Sequence, residues 1–127
     1  MADSRLRWNP CVDRPSVPAG GAAAPGFHAS LPGFAPTPIR PAPATARRLG
    51  VRAVLVKDES SRMGMPSFKI LGASWACYRA LLAKLGREPG EEPSLSELHE
   101  VLEIADRDLV LVAATDGNHG RAVARMA

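Results

Sequence analysis

The sequence predicts an α/β fold: a parallel sheet with helices on both faces, forming a three-layer core behind a proline-rich N-terminal arm. Three observations carry this prediction. Residues 109–114 form an unbroken apolar run, Leu-Val-Leu-Val-Ala-Ala, the mark of a strand covered on both faces. Residues 51–56 alternate and then run apolar from Ala53 to Val56, at strand length, and the stretch between this segment and 109–114 has apolar residues at helical spacing. The order strand, helix, helix, strand, helix is that of parallel strands joined by crossovers.

The elements follow in order. Residues 1–48 hold nine of the twelve prolines. Proline fixes φ and withholds a donor, so residues 1–34 are expected to form an extended arm, with the folded unit spanning 35–127. Residues 44–50 are a short helical candidate stopped by Gly50. The strand at 51–56 ends in Lys57-Asp58-Glu59, where Lys57 is expected to be ion-paired. Residues 60–66 form a loop punctuated by Gly64 and Pro66. Ser67 is a good N-cap for a long helix with Phe68, Leu71, Trp75, Tyr78, Leu82 and Leu85 at threes and fours, stopped by Gly86. Trp75 and Tyr78 read as core. Ser94-Leu95-Ser96-Glu97 is a capping box opening a helix with Leu95, Leu98, Val101, Leu102 and Ile104 on one face. His99 falls on its polar side and reads as solvated. Residues 106–108 turn into the strand at 109–114, and a helix follows residue 120.

Composition narrows the function. The chain has 127 residues, 46% of them hydrophobic, and a net charge of +3. The arginines are scattered and not interleaved with aromatics, which speaks against nucleic acid. Cys11 and Cys77 have neither metal-site nor disulfide spacing, so two free thiols in a reducing compartment are expected. No apolar run has transmembrane length and no secretory h-region opens the chain. The reading is cytoplasmic, with no membrane and no metal. Residues 121–127 read as helix with no stop signal, so a C-terminally truncated piece of a longer protein is expected.

Two polar clusters follow the two strands directly. In open α/β sheets ligands sit beyond the carboxyl ends of strands, so both clusters are expected on one sheet edge. Of the three lysines, Lys57, Lys69 and Lys84, only Lys69 opens a helix. There the positive end of the helix macrodipole disfavours the ammonium form, and partial burial would add to that. A neutral lysine attacks aldehydes, and pyridoxal phosphate is the aldehyde cofactor that uses one. A solvated lysine in a first helical turn is the plainer alternative. The second cluster is Thr115-Asp116-Gly117-Asn118-His119-Gly120. Gly117 and Gly120 permit close backbone approach. Asn118 can donate to a phenolate-type oxygen near a helix N-terminus, and Asp116 can carry a proton. The alternative is a strand-to-helix turn in which Asp116 or Asn118 serves only as a cap. His119 either orients a neighbour or packs under the turn.

These motifs resemble a known family. Ser67-Phe68-Lys69 ahead of a long helix, with an apolar strand ending in Gly117-Asn118-His119-Gly120, resembles the fold-type-II pyridoxal phosphate enzymes, the tryptophan synthase β family. Thr37-Pro38-Ile39 resembles that family's Thr-Pro-Leu opening. Within it, Val56-Lys57-Asp58-Glu59-Ser60, Arg62-Met63-Gly64, Phe68-Lys69-Ile70-Leu71-Gly72 and the run from Ala114 to Arg121 resemble the diaminopropionate ammonia-lyases. The likeness covers about residues 35–127. Met65-Pro66 departs from it, and residues 1–34 match only loosely.

The resemblance implies that Lys69 bonds covalently to pyridoxal phosphate, that Gly117 and Asn118 bind the cofactor, with Asn118 on its ring oxygen, and that Asp116 is a base. It implies an amino-acid substrate, 2,3-diaminopropionate, converted to pyruvate and ammonia, and a homodimer for the full-length form. Serine and threonine dehydratases typically carry serine where this chain has Asp116. A dehydratase-type lyase and a non-catalytic remnant remain the alternatives. The family's glycine-rich phosphate loop and its partner to the pyridine nitrogen are expected beyond Ala127, so the isolated chain is expected to be inactive.

Overall fold

The computed structural model describes residues 23–105, 108–115 and 117–127. Its elements are α1 (Ala23–Ser30), β1 (Ile39–Pro41), α2 (Pro43–Leu49), β2 (Leu55–Lys57), α3 (Lys69–Lys84), α4 (Leu95–Ala105) and α5 (Asn118–Met126). Helix α3 is the central element, packing against α1, α4 and α5.

The expected extended arm does not hold for its second part, where α1 forms. Ala23 and Ala24 favour helix, and Pro25 falls in the first turn, where its missing N–H would have no intrahelical partner. Burial then overrides Gly26. Phe27 is completely buried, 4.6 Å ring to ring from Tyr78. Burying a phenylalanine side chain contributes about 1.5–3 kcal/mol. Phe27 and Leu31 form the main core with Tyr78, Leu81, Leu82 and Leu98, and Trp75 packs against it. Residues 1–22, which make up the rest of the arm and include Cys11, lie outside the described residues.

The buried face of α3 is not the one its large residues suggest. Phe68 is exposed and Leu71 and Trp75 are half-buried, while Ile70, Ala73, Ser74, Cys77, Tyr78, Leu81 and Leu82 are buried. Ala73, Ser74 and Cys77 put small residues in the middle of this face. Ala73 lies in a second core with Met65, Ile70 and Ala122, where short side chains let α5 approach closely.

The parallel three-layer core is not formed among the described residues. Their one sheet is a two-stranded antiparallel ribbon, with Ile39 opposite Lys57, Arg40 opposite Val56 and Pro41 opposite Leu55. Every residue of β1 and β2 is exposed. Residues 109–114 make no ladder. They alternate, with Leu109, Leu111 and Ala113 partly covered and Val110, Val112 and Ala114 exposed. Leu109 and Leu111 pack on the main core. A strand is a pairing state, and this segment has the period-two burial of one without a neighbour to pair with.

Local stop signals work as read. Gly50 closes α2 with φ 66° and Gly86 follows α3 with φ 68°. Ser94 accepts the Glu97 N–H at 3.1 Å, half of the capping box. The Glu97 carboxylate is used elsewhere, accepting from Tyr78 Oη at 2.5 Å and from the Gly90 N–H at 2.9 Å. This ties the 87–93 connection back onto α3.

Candidate functional site

The approach to Lys69 is built from β2 onward. Lys57 makes no close ion pair with Asp58 or Glu59; its Nζ donates to the Thr37 carbonyl across the ribbon, and its charge acts on Glu59 from a distance. The carboxylates face other partners. Asp58 accepts from Ser60 Oγ at 2.6 Å, from Arg40 Nε at 2.6 Å and from the Ser60 N–H at 3.2 Å. These bonds, the Ser60 hydroxyl first, lower its pKa to about 2. Glu59 accepts from Arg62 Nε at 2.7 Å and Nη2 at 2.8 Å, and from the Thr37 hydroxyl. The Arg62 fork is the main cause of a pKa lowered to about 2.

Arg62 then enters a tight turn. Its carbonyl accepts the Met65 N–H at 2.9 Å, and both central residues, Met63 and Gly64, have positive φ, 52° and 72°. That is the pattern of a type I′ turn, which glycine adopts freely and methionine does not. Met65 is buried in the second core. Ser67 follows, its Oγ accepting the Lys69 N–H at 3.3 Å. Ser67 therefore satisfies a first-turn donor as expected, with the helix starting one residue later.

Lys69 is the first residue of α3 and is exposed. Its Nζ lies 4.8 Å from the centre of the exposed Phe68 ring, a cation–π contact. The burial expected around the amine is not supplied by these residues.

The second cluster caps α5 in an unexpected way. Gly117 is the N-cap and its neighbour Asn118 the first helical residue. Thr115 Oγ1 accepts the Gly120 N–H at 2.9 Å and the Gly117 N–H at 3.4 Å. Thr115 thus caps this helix start, and Asn118, one of the two caps expected, is its first helical residue. The signal was available as a hydroxyl residue shortly before the glycine-bounded helix start. Gly120 permits close approach, but of the Thr115 side chain: a Cβ there would lie 2.4 Å from Thr115 Cγ2. Gly117 has open space around it, and Asn118 and His119 are exposed. Asp116 lies outside the described residues, as do Asp106 and Arg107 of the expected turn.

The two clusters are not brought to one edge. Helix α5 runs antiparallel to α3. His119 shares a cleft of about 200 Å³ with Ala76, Cys77 and Ala80, whereas Arg125 and Met126 share one of about 270 Å³ with Met63 and Ile70. Ile70 to Ala80 is roughly 15 Å of helix at about 1.5 Å per residue, so Lys69 and Asn118 sit towards opposite ends of the pair. The physical reason is the unpaired segment 109–115. Only a strand laid beside β2 in parallel register would carry Asn118 to the edge where Lys69 stands.

The donor set nevertheless fits an aldehyde cofactor bearing a ring hydroxyl. Lys69 offers a solvent-accessible primary amine at a helix start, and Asn118 offers an exposed amide beside the first N–H groups of α5. The residues match in chemistry; in this chain by itself they do not match in position.

Comparison with known proteins gives one family, described as "Pyridoxal-phosphate dependent enzyme", matching residues 31–127. The diaminopropionate ammonia-lyase of Salmonella typhimurium is 39% identical over 98 residues, covering 77% of this chain and 24% of that protein. The diaminopropionate ammonia-lyase of Escherichia coli K12 is 38% identical over 98 residues, with the same 77% and 24% coverage. The chain thus spans about a quarter of the length of these curated relatives.

Proposed function

This chain belongs to the pyridoxal-phosphate dependent enzymes, and on that premise we propose that it supplies the lysine-bearing side of an ammonia-lyase site for 2,3-diaminopropionate. The observation that carries this reading is the identity of 38–39% to two proteins named diaminopropionate ammonia-lyase. The residues support it. Asp116 stands immediately before Gly117-Asn118-His119-Gly120, where a hydroxy-amino-acid dehydratase typically has serine.

In this reading Lys69 would hold the cofactor through its amine, Asn118 would offer its amide to the ring oxygen, and Gly117, without a side chain, would leave room beside it. Asp116 takes the proton from the substrate's α-carbon. The cofactor, when bound, supplies the electron sink that accepts the pair left behind. The leaving group is the substrate's second amine, released as ammonia. Hydrolysis of the remaining enamine consumes one water and gives pyruvate and a second ammonia.

The fold belongs to the same reading. The unbroken apolar run at 109–114, whose Val110 and Val112 are left exposed here, suits a parallel strand covered on both faces of a three-layer sheet, which would bring Asn118 towards Lys69. The domain limits 35–127, a homodimer and a cytoplasmic location complete the proposal. No helix among the described residues is long and apolar enough to cross a membrane.

The test uses the longest expressible form of the protein. Pyridoxal phosphate should be fixed by borohydride and map to Lys69, and diaminopropionate should be turned over faster than serine or threonine. A label on Lys57 or Lys84 overturns the assignment. Turnover of serine or threonine alone converts the reading to a dehydratase.

A further inference from the structure

Arg62 is the one buried charged side chain among the described residues. Its guanidinium reaches four acceptor positions. Nε and Nη2 grip the two Glu59 oxygens at 2.7 and 2.8 Å, Nη2 also reaches Thr37 Oγ1 at 2.9 Å, and Nη1 donates to the Ala35 carbonyl at 2.6 Å. The Phe34 ring lies 5.6 Å from the guanidinium carbon and is stacked with His28. One side chain thus joins the 34–37 approach, the end of β2 and the turn at 62–65.

We propose that Arg62 is a positioning residue for Lys69: its guanidinium holds the turn that sets where α3, and with it the lysine amine, begins. The inference rests on the reading that Lys69 carries the cofactor.

The path from Arg62 to Lys69 is constrained at nearly every step. Met63 stands in the left-handed region, a conformation that persists for such a residue only where its surroundings over-determine it. Met65 is anchored in the second core, Pro66 restricts its own φ, and Ser67 accepts the Lys69 N–H. From the other side, His28 Nε2 donates to the Leu71 carbonyl in the first turn of α3 at 2.8 Å. Lys69 itself is exposed, so its placement comes from the backbone beneath it.

A purely stabilising role accounts poorly for this arrangement. A buried ion pair contributes little net stability against an apolar replacement, because both charges lose water. What the fork adds is geometry, since a planar guanidinium can hold a carboxylate, a hydroxyl and a carbonyl in one fixed relation. Lysine cannot reproduce that relation with a single point charge.

The test compares Arg62→Lys and Thr37→Val in the longest expressible form of the protein. Two quantities are measured: equilibrium binding of deoxypyridoxine phosphate, which lacks the aldehyde, and the rate at which pyridoxal phosphate becomes fixed on Lys69, trapped by borohydride and mapped. Misplacement of a reacting group without loss of the site should slow trapping about tenfold in Arg62→Lys and about threefold in Thr37→Val, with analogue binding within about twofold of the parent. Trapping at the parent rate, or analogue binding that falls as far as trapping, overturns the proposal. Should Arg62→Lys fail to fold, Thr37→Val decides by the same two readings. Lys69→Ala separates the premise: undiminished trapping on another lysine in that variant removes the Lys69 assignment, whatever Arg62 does.

Discussion

Thr115 and Gly120 are made for each other: the Thr115 hydroxyl accepts the Gly120 N–H at 2.9 Å, and a Cβ on residue 120 would meet the Thr115 methyl at 2.4 Å. The bond and the close approach are one feature. Threonine can cap this helix start only because the capped residue has no side chain.

Gly120→Ala should therefore not bring the stabilisation of about 1 kcal/mol that alanine ordinarily gives over glycine in a helix. Relieving the clash means rotating Thr115 and losing its cap, which costs about 0.5–2 kcal/mol against a propensity gain of up to about 1 kcal/mol. Thr115→Ser keeps the hydroxyl and removes the methyl. Chemical denaturation of the single and double variants should show Gly120→Ala better tolerated beside Ser than beside Thr. A plain stabilisation by Gly120→Ala in the parent would refute the coupling.

Acid should weaken the fold in a defined window. Glu59 titrates at about 2 in the folded chain instead of its ordinary 4.5, chiefly through Arg62, and Asp58 at about 2 instead of 3.8, chiefly through Ser60. A depressed carboxyl pKa contributes stability that is present above the unfolded value and lost as pH falls through the folded one. Stability should hold steady down to about pH 5 and then fall towards about pH 2. Glu59→Gln should flatten part of that slope, and an unchanged slope in this variant would count against the Arg62–Glu59 grip.

Tyr78 is the sole tyrosine of the 127 residues, so its ionisation can be followed alone. Burial, and after it the Glu97 carboxylate, push its hydroxyl above the usual tyrosine range. A raised pKa favours the protonated form, so this contribution is intact below the unfolded value of about 10 and is lost as pH rises beyond it. Tyrosinate absorbance of the 127-residue chain should appear late, together with loss of helical circular dichroism. Tyr78→Phe removes the bond to Glu97 and should cost about 1.5–3 kcal/mol, as for a hydrogen bond to a charged group. Early titration in a folded chain would contradict the burial of this ring.

Asp116 carries the choice of substrate in the proposed reading. Asp116→Asn in the longest expressible form should lower diaminopropionate turnover by about 10²–10⁴-fold with the cofactor still bound, as expected for loss of a proton-transfer group. Asp116→Ser should shift residual activity towards serine or threonine. Steady-state kinetics on the three substrates checks both, and unchanged diaminopropionate turnover in either variant removes Asp116 from the chemistry.

Much of this protein was legible in local chemistry. Gly50 and Gly86 take the left-handed conformation at helix ends because glycine alone reaches it without strain. Ser94 caps α4, and the Ser67 hydroxyl takes up the Lys69 N–H, because both bonds close within a few residues. The two motifs that carry the family resemblance in the sequence, around Lys69 and Asn118, are also local, which is why they could be read without a fold.

What escaped the sequence depends on partners far along the chain. Helix α1 forms in spite of Pro25 and Gly26 because Phe27 finds Tyr78. The small-residue face of α3 has meaning only against α5, and the buried Arg62 only against Thr37 and Ala35. Residues 109–114 show the limit most clearly. Their unbroken apolar character is a property of the sequence, but a strand exists only when neighbouring backbones supply its hydrogen bonds. Pairing, and with it where Asn118 stands relative to Lys69, is therefore decided by tertiary structure.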